Sequence, residues 1–308
     1  MKFDSYHPAI NLIYFVSAIG FTLWFNHPVF VMISYGAAFA YSVKLNGRRA
    51  LIFNLCLVPL VFAWTAWYSY YTHFGVTVLR QNFVGNDITL ESAVYGLVVG
   101  VMAAAVIMWM SCVFAVVSSD KVVYLFGRIS PRLSLFISIA LRGVPRIKEA
   151  ARKISTAQNG VGMGCGQGNV VQRLRNCLRL VSIMITWAME SFLQASESMR
   201  SRGYMLKGRT AFSIYRFDNR DRSLVLVIVA CLTLVLMGAV LNQTSILYDP
   251  EIVVNRITWV SYVFYVGYGV LLLLPLGLQV WSEAVFARTR KQTGPAGSRG
   301  GLTGPAGQ

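Results

Sequence analysis

Two short runs in this 308-residue chain carry residue types suited to gripping another molecule. The first is Arg142-Gly143-Val144-Pro145, followed by Glu149 and by Ala157-Gln158-Asn159-Gly160. The second is Ser198-Met199-Arg200-Ser201-Arg202-Gly203-Tyr204. Each finishes a segment of helical periodicity with a polar residue and then glycine. Glycine just past a helix adopts the left-handed conformation without a steric cost. A cation in the last turn suits the helix dipole. Arg202-Gly203 therefore reads, at its simplest, as a helix cap. A guanidinium at such a tip also has a second capacity, because its planar fork can bind a carboxylate bidentately. Asn159 offers only a neutral amide.

Catalytic patterns are missing. The sequence holds no His-Glu-x-x-His, no Gly-x-Ser-x-Gly and no paired Asp-rich motif. The glycine-rich run 160–168 is followed by no Gly-Lys-Ser/Thr, so it is not a phosphate loop; it reads as a flexible linker. His7, His27 and His73 are scattered near the ends of apolar runs and read as interfacial residues. The five cysteines, Cys56, Cys112, Cys165, Cys177 and Cys231, form no Cys-x-x-Cys pair and read as small buried hydrophobes. No catalytic residue, metal site or cofactor is expected, and the chain is expected not to be an enzyme.

The elements that hold these runs are membrane helices. The chain is 56% hydrophobic and 13% charged, against about 25% charged for a soluble domain. Crossing a bilayer takes about 20 apolar residues. Six candidates fall at roughly 9–25, 28–44, 51–70, 92–117, 223–241 and 257–281. Asn26-His27-Pro28 makes the first two a tight hairpin, since proline suits a first helical turn; one kinked helix is the alternative. Trp64, Trp67, Tyr68, Tyr70 and Tyr71 read as an interfacial belt. Charge sets the orientation. Residues 119–222 hold 18 Lys+Arg against 6 Asp+Glu, while 71–91 and 242–256 hold one arginine each. Cationic loops stay in the cytoplasm, which puts both ends of the chain and residues 119–222 there. The net charge of +16 follows from these loops and implies no nucleic-acid partner.

Fold class is thus an all-α integral membrane protein, with about six transmembrane helices and two long cytoplasmic helices. Its expected divisions are 1–118 (four spans), 119–222 (cytoplasmic helices), 223–285 (two spans) and 286–308 (a disordered tail). The cytoplasmic helices are expected around Leu133 to Gly160 and Val171 to Ser201.

His7-Pro8, Arg142-x-x-Pro145, Glu149, Ala157-Gln158 and, above all, Ser198 to Tyr204 resemble the transmembrane T component of energy-coupling factor (ECF) transporters, the EcfT/CbiQ family. The resemblance covers most of residues 6–285. In that family two coupling helices end in Ala-Arg-Gly-like motifs that dock on two cytoplasmic ATP-binding-cassette subunits. The resemblance implies that Ser201, Arg202 and Gly203 form one docking tip and Gln158, Asn159 and Gly160 the other, with asparagine where the family has arginine. It further implies a small membrane S component that holds the substrate, contacted by Met184, Trp187, Met189 and Phe192. The chain would be a scaffold in an ATP-driven vitamin or metal-ion (for instance cobalt) importer, in a bacterial or archaeal cell membrane. Two other readings stay open: a membrane enzyme acting on a lipid phosphate through a basic cytoplasmic site, and a permease that binds substrate directly. The acidic residues of 119–222, namely Asp120, Glu149, Glu190, Glu197, Asp218 and Asp221, show no metal-ligand clustering.

Overall fold

The computed structural model describes residues 3–81, 87–204, 206, 215, 217–249, 252–253 and 258–292. Of the tail expected to be disordered over 286–308, residues 286–292 are helical instead, and the rest, from residue 293 on, lies outside the described residues. Two compact units are present: Met1–Ser118 with Tyr215–Gln308, and Ser119–Ile214.

The first unit is a helical bundle. It contains α1 (Pro8–Trp24), α2 (Pro28–Asn46), α3 (Arg48–Tyr71), α4 (Leu90–Val116), α8 (Asn219–Val240) and α9 (Trp259–Gln292). A two-stranded antiparallel hairpin, β1 (Val78–Gln81) and β2 (Asp87–Thr89), joins α3 to α4. Five of these helices, α2, α3, α4, α8 and α9, are long and apolar enough to cross a membrane. The sixth expected span is shorter. At 17 residues, α1 is about 26 Å long, a few ångströms less than a hydrocarbon core of about 30 Å.

Two histidines set the first hairpin. The Nδ1 of His7 accepts from the Ala9 amide at 3.2 Å, and the Nδ1 of His27 accepts from the Val29 amide at 3.2 Å. Proline occupies the first helical position in both cases. Each His-Pro pair thus starts a helix, with an imidazole doing the work of an N-cap side chain. Both histidines are buried and act as helix starters at the ends of the apolar runs. The chain makes two helices here, not one with a kink.

Contacts identify the two ends of the bundle. At one end the His7 amide donates to Asp221 at 3.4 Å, and Lys44 pairs with Glu283 at 2.6 Å. At the other, the Tyr248 hydroxyl donates to the Asn26 carbonyl at 2.8 Å, and the His27 amide donates to that of Thr244 at 3.2 Å. The basic clusters after α2 and at the end of α9 therefore share one end with the start of α8. Residues 215–222, grouped by charge with the cytoplasmic segment, fall within the bundle unit from Tyr215 on. Asp218 and Asp221 form a capping box that starts α8.

The core holds Trp109, Tyr14, Tyr41, Tyr268, Phe25 and Phe30, all essentially inaccessible. Around them the helices keep apolar side chains outward; only 22–39% of each spanning segment is buried. Such a surface needs hydrocarbon around it. Four of the five belt aromatics, Trp64, Trp67, Tyr70 and Tyr71, are outward, while Tyr68 packs on Tyr95. Cys112 is buried as expected, but Cys56 is exposed on the outer face.

Helices α3 and α4 pack closely because Gly96 and Gly100 form a small-xxx-small pair. A Cβ on Gly100 would stand 3.2 Å from Val61 and 3.3 Å from Trp64, and one on Gly96 would stand 3.1 Å from Tyr68. At Gly20 a Cβ would meet nothing within 4 Å. Gly100→Leu should cost about 1–3 kcal/mol through overpacking. Gly20→Leu should not destabilise. Thermal melting of both purified variants in detergent checks this, and equal melting temperatures would contradict the packing account.

Candidate functional site

The second unit contains α5 (Ser119–Ile129), α6 (Pro131–Gly160) and α7 (Val170–Ser201). The Ser134 hydroxyl donates to the Val123 carbonyl at 3.1 Å and ties α5 to α6. Pro145 lies inside α6 and removes the amide that would pair with Leu141. Two residues before it, Gly143 lies beside α7: a Cβ there would make an ordinary contact with the Phe192 ring at 3.7 Å. Trp187, Ser191, Phe192, Ala195 and Met199 of α7 face Arg142, Gly143 and Arg146 of α6 across a cleft of about 300 Å³. Of the four residues tied to S-component contact, Trp187 and Phe192 line this cleft, Met184 is half-buried and Met189 is exposed. Along α7 an apolar stripe of Val171, Leu174, Leu178, Val181, Ile185, Met189 and Leu193 is exposed within the unit. Lys153 hydrogen-bonds and attracts Glu149 at 3.0 Å, which holds the Glu149 carboxyl below its ordinary pKa.

The ends of α6 and α7 close in the same way. At α7 the Tyr204 amide donates to the Met199 carbonyl at 3.2 Å, the Gly203 amide donates to Arg200 at 3.1 Å, and Gly203 is left-handed at φ +77°. At α6 the Met163 amide donates to the Gln158 carbonyl at 2.9 Å, the Gly162 amide donates to Asn159 at 3.2 Å, and Gly162 is left-handed at φ +77°. These are two copies of one glycine-closed helix terminus. Matching them bond for bond pairs Gly162 with Gly203 and Val161 with Arg202.

This corrects the register of the first tip. Gly160 is the last helical residue and not the turning glycine, and Asn159 does not occupy the position of Arg202. With glycine at 160, 162, 164, 166 and 168, the sequence leaves the turning residue open. The pairing of Met163 with Tyr204, one residue after the turn in each case, is the signal that would have fixed it.

Asn159 is also exposed but already occupied. Its carbonyl accepts from Gln167 Nε2 at 3.5 Å, and its side chain lies where a Cβ on Gly164 would sit. The Asn176 amide group donates to the Gly164 carbonyl at 3.2 Å, and Arg179 donates to Met163 Sδ at 2.7 Å. The run expected to be a flexible linker is thus a turn hydrogen-bonded back to α7. Beside these residues the half-buried Cys165 and Cys177 meet, and the hydrogen bond with the Cys177 thiol raises the Cys165 pKa. Arg202, by contrast, is exposed, with its side chain at the tip of α7.

Because the chain reverses through 161–169, the tips of α6 and α7 lie at opposite ends of the pair. The 32 residues of α7 span roughly 48 Å. Among the described residues no group of three or more His, Cys, Asp or Glu could hold a metal ion.

No family model matches the chain. Curated relatives do. The chain is 32% identical over 109 residues to the energy-coupling factor transporter transmembrane protein EcfT of Lactococcus lactis, covering 34% of this chain and 40% of that protein. It is 36% identical over 93 residues to EcfT of Lacticaseibacillus paracasei, covering 29% and 34%. It is 34% identical over 118 residues to EcfT 1 of Listeria monocytogenes, covering 37% and 41%. The chain spans about two fifths of the length of the curated relatives it matches. The likeness to ECF transmembrane components is therefore shown over about a third of the chain.

The two glycines of the tips should respond differently to alanine. Gly203→Ala forces a side chain into the left-handed region at about 1–2 kcal/mol, so amides 199–204 should exchange with deuterium about 5–30-fold faster. Gly160→Ala, in regular helix, should leave exchange at 157–163 unchanged or slower. The reverse order would refute the assigned register.

Proposed function

We propose that this chain is the transmembrane coupling subunit, the T component, of an ATP-driven ECF-type importer for a vitamin or metal ion. One observation carries the proposal: two helices of one unit end in the same closed turn, at tips far enough apart to meet two partners. The two partners are cytoplasmic ABC-type ATPases, and a small membrane S component holds the substrate. The exposed apolar stripe of α7 supports the S-component contact, because Met and aliphatic side chains make an adaptable surface. The chain itself binds no nucleotide and performs no reaction; it passes ATPase movement to the membrane.

The tips are unequal in this reading. Arg202 brings a charged fork to one ATPase. The other tip presents Gly160-Val161-Gly162 with Asn159 beside it, and docks by shape and backbone contact. Arg202→Ala leaves a carboxylate of the ATPase unpaired, at about 2–5 kcal/mol. In pull-downs of the co-expressed ATPases it should therefore reduce recovery far more than Asn159→Ala does. Val161→Arg, which restores a guanidinium to the matching position, should hold or raise recovery. Normal assembly and uptake for Arg202→Ala, with membrane expression confirmed, would defeat the docking proposal.

Orientation follows the charge asymmetry: the basic end of the bundle and the second unit face the cytoplasm, as do both termini. Gly166 has open space around a Cβ, and Ser245 is exposed at the opposite end of the bundle. On a cysteine-free background in intact cells, an impermeant maleimide should label Ser245→Cys and not Gly166→Cys. Labelling of Gly166→Cys from outside would overturn the topology.

A further inference from the structure

Three hydrogen bonds fold the turn between α6 and α7 back onto α7. The Asn176 amide group donates to the Gly164 carbonyl at 3.2 Å, Arg179 donates to Met163 Sδ at 2.7 Å, and Arg173 Nε donates to the Gly168 carbonyl at 3.0 Å. Gly164 and Asn176, the residues that precede Cys165 and Cys177, are thus bonded to each other. The two thiols meet in a hydrogen bond of their own. Both cysteines are free and half-buried, open to a small reagent. We propose that Cys165 and Cys177 are a redox-active dithiol, which closes to a disulfide by exchange with a low-molecular-weight disulfide and pins the turn to α7.

Reach, charge and access single out this pair. A disulfide needs its sulfurs about 2 Å apart, and thiols already in contact need only a small shift. Cys165 has room for it, since it stands between Gly164 and Gly166, and a Cβ on Gly166 would meet nothing within 4 Å. The thiolate is the attacking species, and nearby cations favour it. Residues 160–180 hold Arg173, Arg175 and Arg179 and no acidic residue. Arg173 lies one turn before Cys177 on α7, and Arg173 and Arg179 both reach the turn. The hydrogen bond keeps the proton on Cys165, whose pKa it raises, so the Cys177 sulfur attacks first. It forms a mixed disulfide and expels one thiolate. Cys165 then loses its proton to water, attacks the Cys177 sulfur and expels the second thiolate. The two expelled thiolates take up the two protons that the cysteines lose. Two protein thiols are oxidised, and one small disulfide is reduced to two thiols. The other cysteines lack this setting: Cys56, Cys112 and Cys231 lie in the apolar helices α3, α4 and α8, where a charged reagent enters at a high cost. On the cytoplasmic orientation proposed above, the pair rests as thiols and closes when the surrounding thiol pool is oxidised.

The test uses the full-length protein in detergent and depends on neither the ATPases nor the orientation of the chain. At micromolar concentration and neutral pH the protein is incubated with reduced and oxidised glutathione, blocked with an alkylating reagent and digested for mass spectrometry. Thiols held in one protein meet at a millimolar or higher effective concentration, so the Cys165–Cys177 bond should exceed any link between molecules by about a hundredfold or more. Dithiothreitol should reverse it. Cys165→Ser should trap Cys177 as its mixed disulfide with glutathione, whereas Cys177→Ser should leave Cys165 mostly unmodified at the same time point. In the oxidised protein, amides 162–168 should exchange with deuterium about tenfold slower than in the reduced one. No bond between Cys165 and Cys177, or oxidation that ends in glutathione adducts, in links between molecules or in bonds to another cysteine, would overturn the dithiol. Equal adducts on the two serine variants would overturn the order of attack, and unchanged exchange would overturn the pinning of the turn.

Discussion

Four polar side chains meet at the centre of the bundle. The Thr22 hydroxyl lies 2.6 Å from that of Ser34 and 3.4 Å from that of Tyr268, and the Trp109 indole donates to Ser34 at 3.1 Å. The four residues come from α1, α2, α9 and α4, and all are buried. In hydrocarbon no water can replace a lost partner, so each polar group must be satisfied inside the protein. Apolar contact between helices cannot set their register in lipid, because lipid tails are as apolar as leucine. A shared polar node can, since any slide or rotation of one helix leaves a donor or acceptor stranded. Tyr14 makes a similar tie, donating to the Leu272 carbonyl of α9 at 2.8 Å. That bond lies one turn before Pro275, where the helix lacks a backbone donor.

The bundle and the second unit solve different problems. In the bundle, the central polar groups of Thr22, Ser34, Trp109 and Tyr268 pair with one another and apolar ones turn outward. In α6 and α7, apolar residues remain exposed along a stripe, and the polar groups that matter stand at the ends. A helix pair with unsatisfied apolar surface and rigidly closed tips suits contact with other proteins. Rigidity matters for the proposed coupling role, because a movement delivered to a frayed terminus is lost in local unfolding. The repeated glycine-closed turn keeps both termini defined, and the turn between the helices is hydrogen-bonded to α7 through Asn176 and Arg179.

The asymmetry of the tips has a physical consequence. Arg202 offers charge and five donors; Val161, its geometric counterpart, offers neither. A docking groove that receives Val161 gains nothing from an acidic wall, whereas one that receives Arg202 does. In the docking role proposed above, partners with two different grooves suit this chain better than two identical ones.

The sequence by itself determined the class of the protein and most of its helices. Long apolar runs, sparse charge and capping residues such as His27-Pro28 are local signals, and the structure repeats them to within a few residues. Arg202-Gly203 was legible too, because a lone glycine after a helical run leaves the terminus no choice. Three things were decided only in three dimensions. Gly162 rather than Gly160 turns α6, because the choice among alternate glycines depends on which backbone amides find carbonyls. Asn159 is taken up by the turn, because Gly164 leaves room for its side chain. Residues 215–222 join the bundle although their charge groups them with the second unit, because Asp221 reaches the His7 amide across 214 residues of chain. Each is a contact between segments distant in sequence or competing within it. Composition and periodicity carry no record of such contacts, since they describe a residue by its neighbours along the chain and not by the atoms it meets.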